Sequence, residues 1–222
     1  MVKRLIFIFL SVLLFCVCSF SFFSIPSSPL INYKILIDAG HGGIDNGVYG
    51  IKTNVSESQI NLEIANFLGK ELEKIHLSSI FTRTTNDGLY GEFTPGFKLR
   101  DMNKRKEIAL TNDVDGIVSI HCNASTFPNC SGIVIYYNKQ DEKSVQMAKC
   151  VKEQIESFNL SERKVRLDSE EKFMTTKIGI PAILIECGFL STQSDESKLI
   201  NKIYQKRLAR AISLGVFQAF YS

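Results

Sequence analysis

Two of the chain's three histidines stand at the ends of apolar runs. "ILIDAGHGG", from Ile35 to Gly43, ends in Asp38, His41 and three glycines, and "GIVSIH", from Gly116, ends in His121. A third run, "AILIECGF", carries the carboxylate of Glu186. One histidine at a strand end is ordinarily a satisfied structural residue; the pair is what points to chemistry. Glu57 lies one residue beyond Ser56, in the first turn of a helical pattern. A carboxylate there is explained by the helix dipole, and it could equally swing back towards the strand ends. Two imidazoles and one carboxylate with an open fourth position form the ligand set of hydrolytic zinc enzymes. Zinc lowers the pKa of bound water to roughly 7 and polarises a carbonyl. Such hydrolysis also needs a carboxylate that is not a ligand, to take the proton from water and pass it to the leaving amine. Glu186 suits that role, because an acid in an apolar strand is costly to bury without a task. A salt-bridged structural glutamate is the competing reading. The third histidine, His76, falls in a polar stretch and reads as a surface residue.

Other chemistries fit less well. "GHGGIDNGVYG" is glycine-rich after a strand but matches neither G-x-G-x-x-G nor a Walker sequence, so phosphate cradling is disfavoured. No G-x-S-x-G elbow for a serine hydrolase is present.

The elements that must position these residues alternate along the chain. Lys34 to Asp38 reads as a strand. Ser56 to Ile75 reads as a helix, with Ile60, Ile64, Leu68, Leu72 and Ile75 on one face. Ser56 and Gln59 give it a capping-box start. Ser79 to Arg83 is a second strand, and Thr85 to Phe97, with three glycines and a proline, is a long loop suspected of a role at a site. Asp101 to Asn112 is helical, Gly116 to His121 a third strand and "GIVIYYN", from Gly132, a fourth. Glu142 to Phe158 is helical by its apolar period, and Ala182 to Cys187 has the unbroken apolar character of a strand buried on both sides. Ser197 to Phe220 reads as one long amphipathic helix. This alternation predicts an α/β fold, a single mostly parallel twisted sheet covered by helices on both faces. Functional groups then gather beyond the carboxyl ends of its strands.

The chain of 222 residues is long enough for one well-buried domain with a short appendage. No internal repeat is visible. The formal charge is +3, but Lys3 and Arg4 lie in the N-terminal segment and the remainder is close to neutral. Nucleic acid is therefore not expected as a partner. Lys3 and Arg4 precede "LIFIFLSVLLFCVCSFSFF", which holds no charge from Leu5 to Phe23. Residues 1–24 read as a signal peptide or, at almost the roughly 20 residues a bilayer span needs, as an N-terminal membrane anchor. Residues 25–33 form a Ser/Pro-rich linker, and residues 34–222 the catalytic domain. Neither Cys16 nor Cys18 follows a small residue, so a lipoprotein anchor is not expected. Cys122, Cys130, Cys150 and Cys187 form no C-x-x-C pair and read as small buried residues.

"ILIDAGHGG", "SESQINLEIANFL", "TRTTND", "RKEIALTNDVDGIVSIHCNAS", "SGIVIYY" and "IPAILIECGFLS" occur in an order that resembles zinc-dependent N-acetylmuramoyl-L-alanine amidases. The resemblance runs from about Lys34 to Phe220. It implies a single α/β domain that cleaves the amide between the lactyl group of muramic acid and the first L-alanine of the peptidoglycan stem peptide. Carried over residue by residue, it implies zinc ligands at His41, Glu57 and His121 and a catalytic Glu186. Arg105 matches a family position and is read as structural, Asp38 as a carboxylate supporting the ligands, and Asp45 as a turn residue. Thr192 stands where many relatives have asparagine, and "FMTTKIGIP" lacks an arginine often found there. These departures bear on substrate preference more than on chemistry. The N-terminal signal, and the expectation of no attached wall-binding module, resemble the sporulation and germination branch. That branch removes stem peptides on the way to muramic δ-lactam in spore cortex. An extracytoplasmic location in the envelope or developing spore follows, as does an accessory or activating protein as partner. Two readings stay open beside this one: a catalytically silent wall-binding or regulatory domain, and a zinc hydrolase of another peptidoglycan bond.

Overall fold

The computed structural model describes residues 32–127 and 129–222. The expected signal or anchor at 1–24 and most of the linker lie outside the described residues. Six strands form one sheet: β1 (Lys34–Ala39), β2 (Ser78–Phe81), β3 (Gly116–Asn123), β4 (Val134–Tyr137), β5 (Arg166–Asp168) and β6 (Ala182–Phe189), in the order β2-β1-β3-β6-β4-β5. Every neighbouring pair is parallel except β4 with β6. The exception has a local cause. The β3–β4 connection contains no helix and returns from the carboxyl end of the sheet, so β4 runs back against its neighbour.

Strands β1, β3 and β6 are buried on both sides and their residues alternate between two cores. Ile35, Ile37, Val118, Ile120, Ile183 and Ile185 face one layer. That layer is built from α1 (Glu57–Lys74), α3 (Glu142–Ser157) and α6 (Lys202–Tyr221). Leu36, Ile117 and Ala182 face the other, packing with Ala109 of α2 (Phe97–Thr111) and Met174 of α4 (Phe173–Thr176). The remaining helix, α5 (Gln193–Leu199), follows β6. This is the expected α/β sheet covered on both faces. No helix among the described residues is long and apolar enough to cross a membrane.

Three expectations change in detail. The single C-terminal helix is two, α5 and α6. The break falls at Asn201, whose Oδ1 accepts the backbone N–H groups of Ile203 and Tyr204 at 2.8 and 3.3 Å and caps α6. Asparagine is far better at an N-cap than inside a helix. Second, α2 begins at Phe97, four residues earlier than its apolar pattern suggests. Its N-cap, Gly96, has φ 81° and offers no capping side chain, so the sequence carries no start signal there. Third, β5 and α4 are three and four residues long, below the length at which any periodicity shows. At α1 the Ser56 cap forms, accepting from Gln59 N–H, while the Gln59 side chain turns to Glu63 and leaves the reciprocal half of the capping box unmade.

Candidate metal centre

The four residues singled out from the sequence meet at the carboxyl ends of β1, β3 and β6. His41 is the second residue past β1, Glu57 is the first residue of α1, and His121 and Glu186 are register partners on neighbouring strands. Donor atoms of His41, Glu57 and His121 all lie within 4.8 Å of one another. They converge on one carboxylate oxygen: Glu57 Oε1 is 3.1 Å from His41 Nε2 and 3.0 Å from His121 Nδ1. The rings of the two histidines stand edge-to-face with centroids 5.0 Å apart.

The backbone is shaped to make this possible. His41 has φ 62°, the left-handed region, which costs a non-glycine residue roughly 1–2 kcal/mol. Surrounding bonds hold it there. Its carbonyl accepts Arg105 Nη2 at 2.7 Å, and its Nδ1 lies 3.0 Å from Asp45 Oδ2. Gly40 supplies room for His121, since a Cβ at that position would sit 2.2 Å from the imidazole Cε1. Gly47, at φ 66°, does the same for Glu57: a Cβ there would lie 2.3 Å from Oε2. The Glu57 carboxylate is buried and further fixed by Cys122 N–H, Asn61 Nδ2 and Val48 N–H.

Burial opposes charge on the Glu57 carboxyl, but hydrogen bonds and charge from His121 and His41 overcome it and hold the group well below the usual carboxylate range. Burial also opposes protonation of His41. Glu57 and Asp45 outweigh it and raise that imidazole to about 9. The carboxylates of Glu57 and Asp45 thus favour positive charge at this point. Glu186 differs. Burial pushes its carboxyl above the ordinary glutamate value, only partly countered by His121, and its Oε2 is buried with no hydrogen-bond partner. A carboxylate oxygen left free beside two imidazoles and a second carboxylate is the arrangement a bound cation and its reacting water would complete. Two imidazole nitrogens and one carboxylate oxygen suit zinc, and both His41 and His121, about a fifth to a quarter exposed, border an open groove.

Two buried arginines brace the loop that carries His41. Arg105 spans Asp38 and Asp101, each at 2.6 Å, and also donates to the carbonyl of Ala39. Arg83 donates to the carbonyls of Ala39, Gly40, Ser58 and Thr85, all between 2.8 and 2.9 Å. Burial, with Arg105 alongside, brings the Arg83 guanidinium down to about 10.

Arg105 braces the loop, and Asp45 forms the expected turn, paired with Gly42, but Asp45 also takes the supporting role expected of Asp38. Asp45 is the carboxylate that orients His41, through its Nδ1. Asp38 instead binds Arg105, Thr82 and Ser119, and it touches neither imidazole through a hydrogen bond. The Nδ1 edge of the His41 ring faces its own turn while Nε2 faces Glu57, which sequence proximity alone does not reveal. Arg83 and Asn61 were not singled out. An arginine closing the apolar strand "SIFTR", and an asparagine one turn after Glu57 on the buried helix face, are the signals that mark them. Exposed His76 ends α1 in a left-handed turn and is remote from the chemistry. Cys122, Cys150 and Cys187 are buried free thiols, and Cys130 is half-buried and free. Thr192 donates its hydroxyl to the carbonyl of Cys130, tying the β3–β4 connection to the turn after β6.

Known proteins share this fold. The N-acetylmuramoyl-L-alanine amidase family model matches residues 35–218. The germination-specific N-acetylmuramoyl-L-alanine amidase of Bacillus subtilis is 28% identical over 199 residues, covering 87% of this chain and 82% of the relative. The CwlD amidase from Clostridioides difficile, solved in complex with the GerS lipoprotein, superposes with a TM-score of 0.78 at 32% identity, covering 85% of this chain and 98% of that one. An N-acetylmuramoyl-L-alanine amidase structure from Clostridium difficile 630 gives 0.75 at 32%, with 86% and 97% covered. With its sheet, the loop that carries His41 and nearly its whole described length matched, the chain belongs to the N-acetylmuramoyl-L-alanine amidase family, in the CwlD-like branch.

Proposed function

We propose that this peptidoglycan amidase is a zinc enzyme in which His41, Glu57 and His121 hold the metal and Glu186 is the catalytic acid–base. The observation that carries the reading is the convergence of both imidazoles on Glu57 Oε1 beside the unpartnered oxygen of Glu186. When bound, zinc would supply Lewis acidity to the scissile carbonyl and acidity to water. The protein's own groups do the rest. Glu186 takes the proton from the water whose oxygen attacks the lactyl carbonyl carbon. It then delivers that proton to the alanine nitrogen as the C–N bond breaks, leaving a lactyl carboxylate and a free stem-peptide amine. Its raised carboxyl pKa suits a group that must both accept and release a proton. Asp45 keeps the His41 ring turned towards the site, and Glu57 stays charged to receive the cation.

The finer biology follows from the relatives. One is named germination-specific, which supports removal of stem peptides ahead of muramic δ-lactam formation in spore cortex. Another was solved with a lipoprotein partner, which supports an accessory protein here. Action outside the cytoplasm accords with cell-wall substrates, with residues 1–24 as signal or anchor and 34–222 as the catalytic domain.

Mass spectrometry of digested peptidoglycan tests the bond. Intact free stem peptides support the amidase step, whereas shortened peptides or lost acetyl groups overturn it. In the same assay Glu186→Gln is expected to lower peptide release by about 10²–10⁴-fold while zinc content stays at one per chain. Full activity in that variant removes Glu186 from the mechanism.

A further inference from the structure

A groove leads away from the two histidines along the sheet face that carries α2 and α4, and its chemistry selects one arm of the substrate. It has a volume of about 290 Å³ and runs from His41 and His121 between these helices. Its walls are apolar, with Phe97 and Met102 on α2, Phe173 and Met174 on α4, and Leu184 on the sheet. None of its lining residues is Asn, Gln, Ser or Thr. Its acids are already engaged: Asp38 and Asp101 by Arg105, Asp45 by His41.

Two lysines complete it, one on each side. Lys98, on α2, lies 3.8 Å from Asp45 and is largely exposed. Lys172, at the cap of α4, is more confined. Its Nζ sits 4.4 Å over the Tyr136 ring and 2.8 Å from Glu170, a carboxylate that is itself mostly in solvent. Lys172 can therefore exchange this partner for a ligand group at little cost, since exposed pairs are worth under about 1 kcal/mol.

The geometry points to this groove as the seat of the stem-peptide arm, with Lys172, seconded by Lys98, pairing with a free carboxylate near the scissile amide. This rests on the amidase reading and adds which side of the scissile bond lies where. A glycan arm is uncharged and rich in hydroxyls, and it would need side-chain amides, which the groove lacks, or free carboxylates, whereas those of Asp38, Asp45 and Asp101 are already paired. A stem peptide offers small apolar side chains to the walls and carboxylates to the lysines.

The test uses zinc-loaded full-length protein and two muramyl peptides that differ only in whether the carboxylate of the second residue is free or amidated. The wild type should prefer the free acid through a lower KM, by about three- to fivefold, the scale of a part-exposed ion pair. Lys172→Met should bring that ratio close to one, and Lys98→Gln should narrow it less. Zinc content and melting temperature serve as controls for folding. Binding of the glycan-free tripeptide with each form of the second residue is measured by calorimetry, independently of turnover. A discrimination that survives in Lys172→Met overturns the assignment, as does tighter binding of the peptide-free glycan than of the peptide. Carboxylate-dependent peptide binding without cleavage would uphold the groove assignment and overturn the amidase step instead.

Discussion

At the scale of single residues the centre depends on how each ligand is aimed. His41 is held in an unfavourable backbone conformation and is oriented through Nδ1 by Asp45, which leaves Nε2 directed at Glu57. Carboxylates that orient a metal-binding imidazole typically contribute 10–100-fold to metal affinity. Asp45→Ala is therefore expected to weaken zinc binding by about that factor, measured by competition with a chromophoric chelator. Unchanged affinity would show that the ring is held by its backbone alone. The grouping of His41, Glu57 and His121, the ligands proposed above, was legible in the sequence, because rare histidines at strand ends and an acid opening the next helix are conspicuous. The aspartates were not. Asp38 and Asp45 lie three residues before His41 and four after it, and their order along the chain does not say which one the ring turns to.

At the scale of elements, Arg83 is the knot. It follows β2 and donates to the carbonyls of Ala39 and Gly40 on the His41 loop, to Ser58 beside Glu57, and to Thr85 at the start of the loop before α2. One guanidinium thus fixes the spacing between two ligand-bearing segments. Arg83→Met would take a donor from each of these carbonyls, although Ala39 keeps Arg105 and Gly40 keeps Asn61, and a buried group left with no donor costs about 1–3 kcal/mol. Partial relaxation makes a total loss of about 2–4 kcal/mol the expected outcome, read as a drop in urea midpoint. Positioning predicts more than instability: the cobalt-substituted variant should show an altered d–d spectrum under conditions where it remains folded, and Arg83→Lys should restore only part of it. An unaltered spectrum would reduce Arg83 to a fold residue. Elements were legible where apolar character and length agreed, as in α1, α3 and the five strands of four or more residues. Failures came where local chemistry outweighed period. Asn201 ended one helix pattern and capped another, Gly96 started α2 without a signal, and α4 was too short to have a period.

At the scale of the whole molecule, one buried ion cluster joins fold and site, and it makes both acid-sensitive. Asp38 on β1 and Asp101 on α2 grip Arg105 between them, and the same guanidinium holds the carbonyls of Ala39 and His41. The α2 layer is thereby fastened to β1 and to the His41 loop at one point. Composition did reveal one buried domain, and period revealed its two faces, but charges in a core leave no periodic trace, so this fastening was visible only as an arginine at a familiar position. Burial would raise the Asp38 carboxyl; Arg105 first, then His121 and Ser119, reverse this and hold it below its ordinary value of 3.8. A carboxyl lowered on folding stabilises the protein fully above its unfolded pKa, and that contribution is lost as pH falls through the folded one. The urea midpoint of metal-free protein should accordingly decline steeply below pH 3.8, the ordinary value of that group. Asp38→Asn leaves Arg105 with an uncompensated share of buried charge, so it should lose about 3–5 kcal/mol at pH 7. Below pH 3.8 its decline should be shallower than the wild type's, because the group responsible is gone. Parallel curves for the two proteins between pH 2 and 5 would place the acid sensitivity elsewhere and deny the cluster this role.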